Sequence, residues 1–167
     1  MYKFIGMLAI ASLSLASFAH AQEVKPGSTT AAAAKAHPTQ KTQAKNTAEK
    51  TVKAVYHVNT DVNTVPAILN NVRNHLNADP KAKIVVVTHG PGINFLIQDA
   101  KDSQGREFSG AVSELAGRGV EFRVCNNTLT SRNIDPGTLL MEAKIVPSGV
   151  SEVARLQAFE GFVYLKP

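Results

Sequence analysis

The most reactive side-chain type in this sequence belongs to Cys125, its only cysteine. It follows residues 120–124, where apolar and charged residues alternate as they do in a half-buried strand. Asn126 and Asn127 come next, and a helical spacing of apolar residues begins after them. The sequence therefore predicts that Cys125 lies where a strand ends and a helix begins. Backbone N–H groups at such a position stabilise a thiolate, so we expect a thiol pKa below about 8.5.

Two interpretations of Cys125 are open on the residues alone. A single cysteine cannot form an internal disulfide, and a thiolate at the start of a helix is a nucleophile. Strand alternation places Arg123 on the same face as Cys125, and Arg132 lies two helical turns further on. An unpaired cysteine can equally be a small buried hydrophobe without chemistry. The accessibility of the thiol separates these two interpretations.

Polar residues also follow the other predicted strands. Asn59 and Asp61 come after the first strand, and His89 and Gly90 after the second. The carboxyl ends of parallel strands meet at one edge of a sheet, where ligands of open α/β folds bind. The predicted ligand-binding set at this edge is therefore His89, Gly90, Asn126, Asn127 and Asn59. His57, inside the first strand, is interpreted as a core histidine with a satisfied hydrogen bond. His75 is interpreted as a solvent-facing residue of the following helix.

Strand and helix patterns alternate through the second part of the chain. Strands are predicted at residues 52–58, 83–88, 120–125, 143–146 and 162–165. Helical patterns lie between them, at residues 65–76, from 93, at 108–115, from 129, and at 150–160. This order predicts a three-layer α/β/α fold with a mostly parallel five-stranded sheet and right-handed connections.

Familiar motifs for cofactors, metals and nucleic acids are missing from the sequence. The His89-Gly-Pro-Gly loop lacks the lysine and the spacing of a P-loop. There is no C-x-x-C or H-x-x-x-H pair for a metal and no G-x-S-x-G elbow. The aromatic residues do not interleave with a basic patch. We therefore expect no metal, no cofactor and no nucleic-acid partner.

The first 51 residues have a different composition from the rest. Residues 1–21 combine Lys3, an apolar run and an Ala19-His20-Ala21 cleavage site, which is typical of an export signal. The run is shorter than the roughly 20 residues of a membrane span. We therefore expect a periplasmic protein with no integral membrane span after cleavage. Residues 22–51 are rich in Ala, Lys and Thr, lack large apolar residues, and are predicted to be a disordered linker.

Three stretches of the predicted domain, residues 52–167, resemble the DsrE/DsrF-like family, which includes sulfur-relay proteins. They are residues 85–90 (VVVTHG), 119–129 (GVEFRVCNNTL) and 146–164 (VPSGV through EGFVY). The resemblance implies a three-layer α/β/α fold and a homo- or hetero-oligomer. In sulfur-relay members a cysteine after the third strand carries a persulfide and passes it to a partner. Cys125 matches that position.

Three functions follow from these observations. The first is an exported persulfide carrier, sulfurtransferase-like if it is catalytic, with Cys125 as nucleophile and a sulfur donor or acceptor protein as partner. The second is a module that binds a small anionic ligand at the same edge without covalent chemistry. The third is an oligomeric adaptor in which Cys125 only packs in the core. All three are compatible with a homo-oligomer.

Overall fold

The computed structural model describes residues 50–167. The predicted signal peptide and nearly all of the predicted linker lie outside the described residues. The described part contains one sheet of five parallel strands in the order β4-β3-β2-β1-β5. The strands are β1 Lys53–Val58, β2 Lys83–Thr88, β3 Glu121–Cys125, β4 Ala143–Val146 and β5 Val163–Leu165. The helices are α1 Val65–Ala78, α2 Ser109–Gly117, α3 Asn126–Ser131 and α4 Gly149–Glu160. The predicted α/β fold is therefore confirmed, with a sheet that is parallel throughout.

Three layers form because helices cover both faces of the sheet. One face packs against α1, α2 and α3 in a core of 21 buried residues that includes Phe95, Phe122 and Leu115. The other face packs against α4 in a cluster of six: Val55, Val85, Val87, Val153, Leu156 and Phe162. Alternate residues of β2 enter the two clusters, which explains why this strand is continuously apolar.

The ends of α1 and α4 follow from their sequences. Pro66 lies in the first turn of α1, where its missing N–H has no helical partner to lose. The buried face of α1 is the one that its spacing predicts: Val65, Ile68, Leu69, Val72 and Leu76. At the start of α4, the Ser148 side chain accepts a hydrogen bond from the Ser151 N–H. Gly161 ends α4 in the left-handed conformation with φ 71°, which glycine adopts without a Cβ clash.

Two local features differ from the sequence-based predictions. The helix predicted from residue 93 is a 3₁₀ helix, Gly90–Leu96, which begins directly after His89. His75 is half-buried, and its Nδ1 lies 3.0 Å from the Tyr56 hydroxyl, because the side chain turns back towards the sheet. Among residues 50–167, no helix combines the length and apolar character needed to cross a membrane.

Strand register brings the carboxyl ends of the central strands to one edge. Val58 of β1 pairs with Thr88 of β2, which pairs with Val124 of β3. Cys125 is then level with Val146 at the end of β4. Since α4 starts three residues after Val146, its N-terminus lies at the same edge as the single cysteine.

Candidate functional site

Cys125 ends β3 and is also the N-cap residue of α3, as the sequence predicts. The residue is buried, with 5% of its surface exposed. Burial raises the pKa of its thiol, but four hydrogen-bond donors oppose burial and together lower that pKa below its ordinary value. The donors are the backbone N–H groups of Gly149, Thr128 and Asn127 and the Thr128 hydroxyl. The low exposure of the residue agrees with the packed interpretation, whereas the lowered thiol pKa agrees with the nucleophile interpretation.

The second helix N-terminus reaches Cys125 because residue 149 is a glycine. A Cβ at this position would lie 3.1 Å from the Thr88 carbonyl oxygen and 3.2 Å from the Cβ atoms of Cys125 and His89. These distances are shorter than ordinary van der Waals contacts. Only the absence of a side chain lets the first N–H of α4 approach the sulfur. The same contacts make His89 an immediate neighbour of Cys125.

A cluster of charged side chains fixes the first turn of α4 against β3. Arg123 donates to Glu152 in a short hydrogen bond and to Glu121 Oε2 at 3.0 Å. Arg155 donates to the two carboxylate oxygens of Glu152 at 2.9 and 2.8 Å. The hydrogen bonds from Arg155, opposed by burial and assisted by Arg123, hold the pKa of Glu152 below its ordinary value. Arg123 thus acts on the site by holding α4 in place.

Two histidines and a tyrosine form a hydrogen-bonded chain at the same edge. The Nε2 atoms of His57 and His89 lie 2.6 Å apart, and His57 Nδ1 lies 2.8 Å from the Tyr164 hydroxyl. Burial lowers the pKa of both histidines, and the charge of Lys166 lowers it further; the charge of His89 also lowers the pKa of His57. Both rings are therefore neutral at pH 7. His57 is half-buried and belongs to this site, which corrects its interpretation as a core residue.

The structure places most of the predicted site residues around Cys125. His89 is its neighbour, and the Asn127 backbone N–H, which donates to the Pro147 carbonyl at 3.3 Å, makes the smallest contribution to the lowered thiol pKa. The Gly90 N–H donates to Thr128 Oγ1 at 3.0 Å, so the glycine loop supports the residue that supports the thiol. Asn126 is exposed and Asn59 is half-buried. In the described part of the chain, no hydrogen bond joins either of these two side chains to Cys125.

Sequence reasoning missed four contributors: Thr128, Gly149, His57 and Tyr164. Thr128 had a local signal, because it occupies the third helical position after Cys125, where an N–H and a hydroxyl both face the cap. Gly149 follows a serine that reads as a helix cap. The pairing of His57 with Tyr164 spans 107 residues and has no local signal. Arg132, considered as a helper of the thiol, instead donates to the Gly90 carbonyl and to Asn94 Oδ1.

The site has no group of metal ligands. Within residues 50–167, no cluster of three or more His, Cys, Asp or Glu side chains could hold a metal ion. The N-termini of α3 and α4 also lie at Cys125, and the charge of Lys166 acts on the histidines at the same edge. Such surroundings favour an anion at the sulfur.

The fold and the site define a parallel α/β domain protein with a single cysteine at the carboxyl edge of its sheet. The family model for the DsrE/DsrF-like family matches residues 29–166, and the chain belongs to that family. The match begins inside the segment that composition predicts to be a linker. No curated protein matches the chain.

Two solved structures are similar to this domain. A protein of unknown function from Methanobacterium thermoautotrophicum, MTH1491, is 37% identical, with a TM-score of 0.62. The alignment covers 70% of this chain and 99% of that one. The ychN protein from E. coli is 12% identical with a TM-score of 0.54, over 68% of this chain and 99% of that one. The second likeness concerns the fold alone.

Proposed function

We propose that this protein is an exported persulfide carrier in which Cys125 accepts sulfane sulfur and passes it to a partner. One observation carries the proposal: Cys125 is the N-cap of α3, and the first residue of α4, Gly149, packs against it, so that donors of both helices lower the thiol pKa. The thiolate is the form of cysteine that attacks sulfur. Membership of a family that includes sulfur-relay proteins supports the same chemistry.

The transfer balances with Cys125 and two thiols. The Cys125 thiolate attacks the outer sulfur of a donor persulfide, R–S–SH. A new S–S bond forms at Cys125 while the S–S bond of the donor breaks, and the donor leaves as a thiolate. An acceptor thiol later loses its proton and attacks the outer sulfur on Cys125, which is released as a thiolate. The donors around Sγ stabilise this leaving group, and a thiol of low pKa leaves faster.

Partner and location are part of the proposal. The donor and the acceptor are thiol proteins or small thiols that reach the carboxyl edge. The domain forms a homo-oligomer, as the family resemblance implies. Export to the periplasm rests on the signal pattern of residues 1–21.

Intact-mass analysis of the mature protein after incubation with polysulfide tests the proposal. We expect an added mass of one or more sulfur atoms, located on Cys125 and removed by a reducing thiol. Cys125→Ser is the blank and should gain nothing. An unmodified wild-type protein contradicts persulfide chemistry.

A second measurement assigns the alternatives if no sulfur is added. Alkylation of native Cys125 that is slowed by a small anion such as thiosulfate would favour the ligand-binding module. Alkylation only after unfolding would favour the adaptor, in which the cysteine packs in the core. Thr128→Val, which removes one donor but keeps the shape of the side chain, should raise the thiol pKa in the carrier.

A further inference from the structure

The contacts of His57 suggest a role that a core histidine does not have. Its two ring nitrogens are both engaged, one by His89 Nε2 at 2.6 Å and the other by the Tyr164 hydroxyl at 2.8 Å. His57 lies two residues after Val55 on the face of the sheet that α4 covers. One end of the chain is His89, the neighbour of Cys125 at Gly149. The other end is Tyr164, which is 42% exposed.

Hydrogen-bond chemistry allows the neutral chain two arrangements. In the first, the Tyr164 O–H donates to His57, the Nε2–H of His57 donates to His89, and His89 keeps its proton on Nδ1. In the second arrangement every hydrogen bond is reversed. His89 carries its proton on Nε2 and donates to His57 Nε2, and His57 carries its proton on Nδ1 and donates to the Tyr164 oxygen. The Nδ1 atom of His89 is then a free acceptor. Exchange between the arrangements transfers one proton between His89 and the exposed hydroxyl.

We propose that His89, His57 and Tyr164 form a proton relay between the Cys125 site and solvent. The inference rests on the proposed function, because it serves the step in which an acceptor thiol must lose its proton before attacking the persulfide. His57 and Tyr164 act through His89 and are positioning residues. The charge of Lys166 acts on both imidazoles and makes a lasting positive charge there costly. A relay avoids that cost by passing the proton on.

The acceptor thiol, R–SH, gives its proton to His89 Nδ1, and its sulfur attacks the outer sulfur on Cys125. His89 passes its Nε2 proton to His57, His57 passes its Nδ1 proton to Tyr164, and Tyr164 releases one to water. The products are R–S–SH and the Cys125 thiolate. No oxidant or reductant is needed.

The test compares sulfur release from loaded Cys125 to cysteine as the acceptor, at several pH values. Tyr164→Phe and His57→Gln keep the shape or the hydrogen bonding of the chain but cannot pass a proton. We expect both variants to load with sulfur like the wild type and to release it at least about tenfold more slowly at pH 7, since general base catalysis typically contributes 10²–10⁴-fold. The difference should vanish above about pH 9, where the acceptor is already a thiolate.

The fold supplies a matched control. His75 and Tyr56 form a second histidine–tyrosine pair, with 3.0 Å between Nδ1 and the hydroxyl, and Tyr56 belongs to the core on the opposite face of the sheet. His75→Gln and Tyr56→Phe should leave the pH profile of release unchanged. Equal profiles for wild type, His57→Gln and Tyr164→Phe would overturn the relay while leaving persulfide carriage intact.

An independent readout does not depend on sulfur at all. Ring ¹⁵N chemical shifts of His57 report which nitrogen is protonated. The relay requires values averaged between both nitrogens in the wild type and a single tautomer in Tyr164→Phe. A single fixed tautomer in the wild type would overturn the relay, even if Cys125 takes up no persulfide and the proposed function fails.

Discussion

The two faces of the sheet are built in different ways. The face towards α1, α2 and α3 has 21 buried residues, whereas the face towards α4 has six. On that second face the half-buried Arg123 pairs with the buried Glu152, with Arg155 and Glu121 as further partners, and this cluster joins α4 to β3. The face towards α1, α2 and α3, called the thick face below, supplies most of the apolar burial that stabilises the domain. The face towards α4, called the thin face below, positions the groups around Cys125.

This division has a physical reason. Apolar packing is non-directional, so it fixes the volume of a core more firmly than the angle of one N–H bond. An ion pair with several hydrogen bonds fixes orientation, although it adds little net stability. A helix whose first N–H must point at a sulfur atom benefits from the second kind of contact. Substitutions on the two faces should therefore separate stability from thiol reactivity.

The largest effect on stability is expected from Leu115→Ala on the thick face, with Leu156→Ala on the thin face as its match. Both leucines are fully buried, at 0% exposure. Leu115→Ala should cost about 4 kcal/mol and Leu156→Ala about 2–3 kcal/mol, because fewer apolar neighbours surround the second cavity. Urea unfolding measures both. On the thin face, Leu156→Ala should also change the alkylation rate of Cys125. Equal losses of unfolding free energy in the two variants, or an unchanged alkylation rate in Leu156→Ala, would contradict the different roles of the two faces.

Glu152→Gln removes the central carboxylate of the α4 cluster. We expect a loss of about 2–3 kcal/mol, below that of a fully buried pair because Glu121 still contacts Arg123. The thiol pKa of Cys125 should rise, since the first turn of α4 is no longer held. Glu114→Gln, which breaks an exposed pair with Arg73, should cost less than about 1 kcal/mol and leave the thiol unchanged. Alkylation rate against pH gives the thiol pKa, and a similar shift in both variants would refute this role.

Gly149→Ala tests the close approach of α4 to Cys125 directly. The new Cβ should move the start of the helix away, cost about 1–2 kcal/mol and raise the thiol pKa. Gly110→Ala is the control, because a Cβ at Gly110 in α2 meets no atom within 4 Å. That variant should be neutral or slightly stabilising. A thiol pKa that does not move in Gly149→Ala would mean that the Gly149 N–H does not stabilise the thiolate.

The pH dependence of stability is the smallest effect. The folded-state pKa values of His57 and His89 lie below the ordinary 6.5, so the unfolded chain binds more protons as the pH falls below that value. Stability should therefore fall by on the order of 1 kcal/mol between about pH 6.5 and the folded pKa values. Glu152 and Glu121 add a second loss below about pH 4.5, since their folded pKa values are also lowered. His57→Gln should reduce the loss of stability below about pH 6.5 and leave the loss below about pH 4.5 unchanged.

The sequence predicts the elements of this fold well and its tertiary contacts poorly. Strand β2 and the buried face of α1 follow from local periodicity, and Cys125 lies at the strand–helix junction that alternation predicts. The role of Gly149 depends on the distance between α4 and two other strands, which no local pattern encodes. His57 and His75 have tyrosine partners that the sequence did not predict, because one contact joins the neighbouring strands β1 and β5 and the other joins α1 to β1. The position of the cysteine at the end of a strand was visible in the sequence, but most of the groups that surround it were not.

Strand β5 has a consequence for the dynamics of the domain. It has three residues, pairs with β1 at the edge of the sheet, and leaves Val163 and Tyr164 about half exposed. Short edge elements open locally at a lower free energy than central strands. Amide hydrogens of β5 should therefore exchange with solvent well before those of β1 and β2. On warming, the hydroxyl of Tyr164 would detach from His57 before α3 and α4 move away from Cys125, so the proposed proton relay would fail at a lower temperature than the proposed sulfur binding.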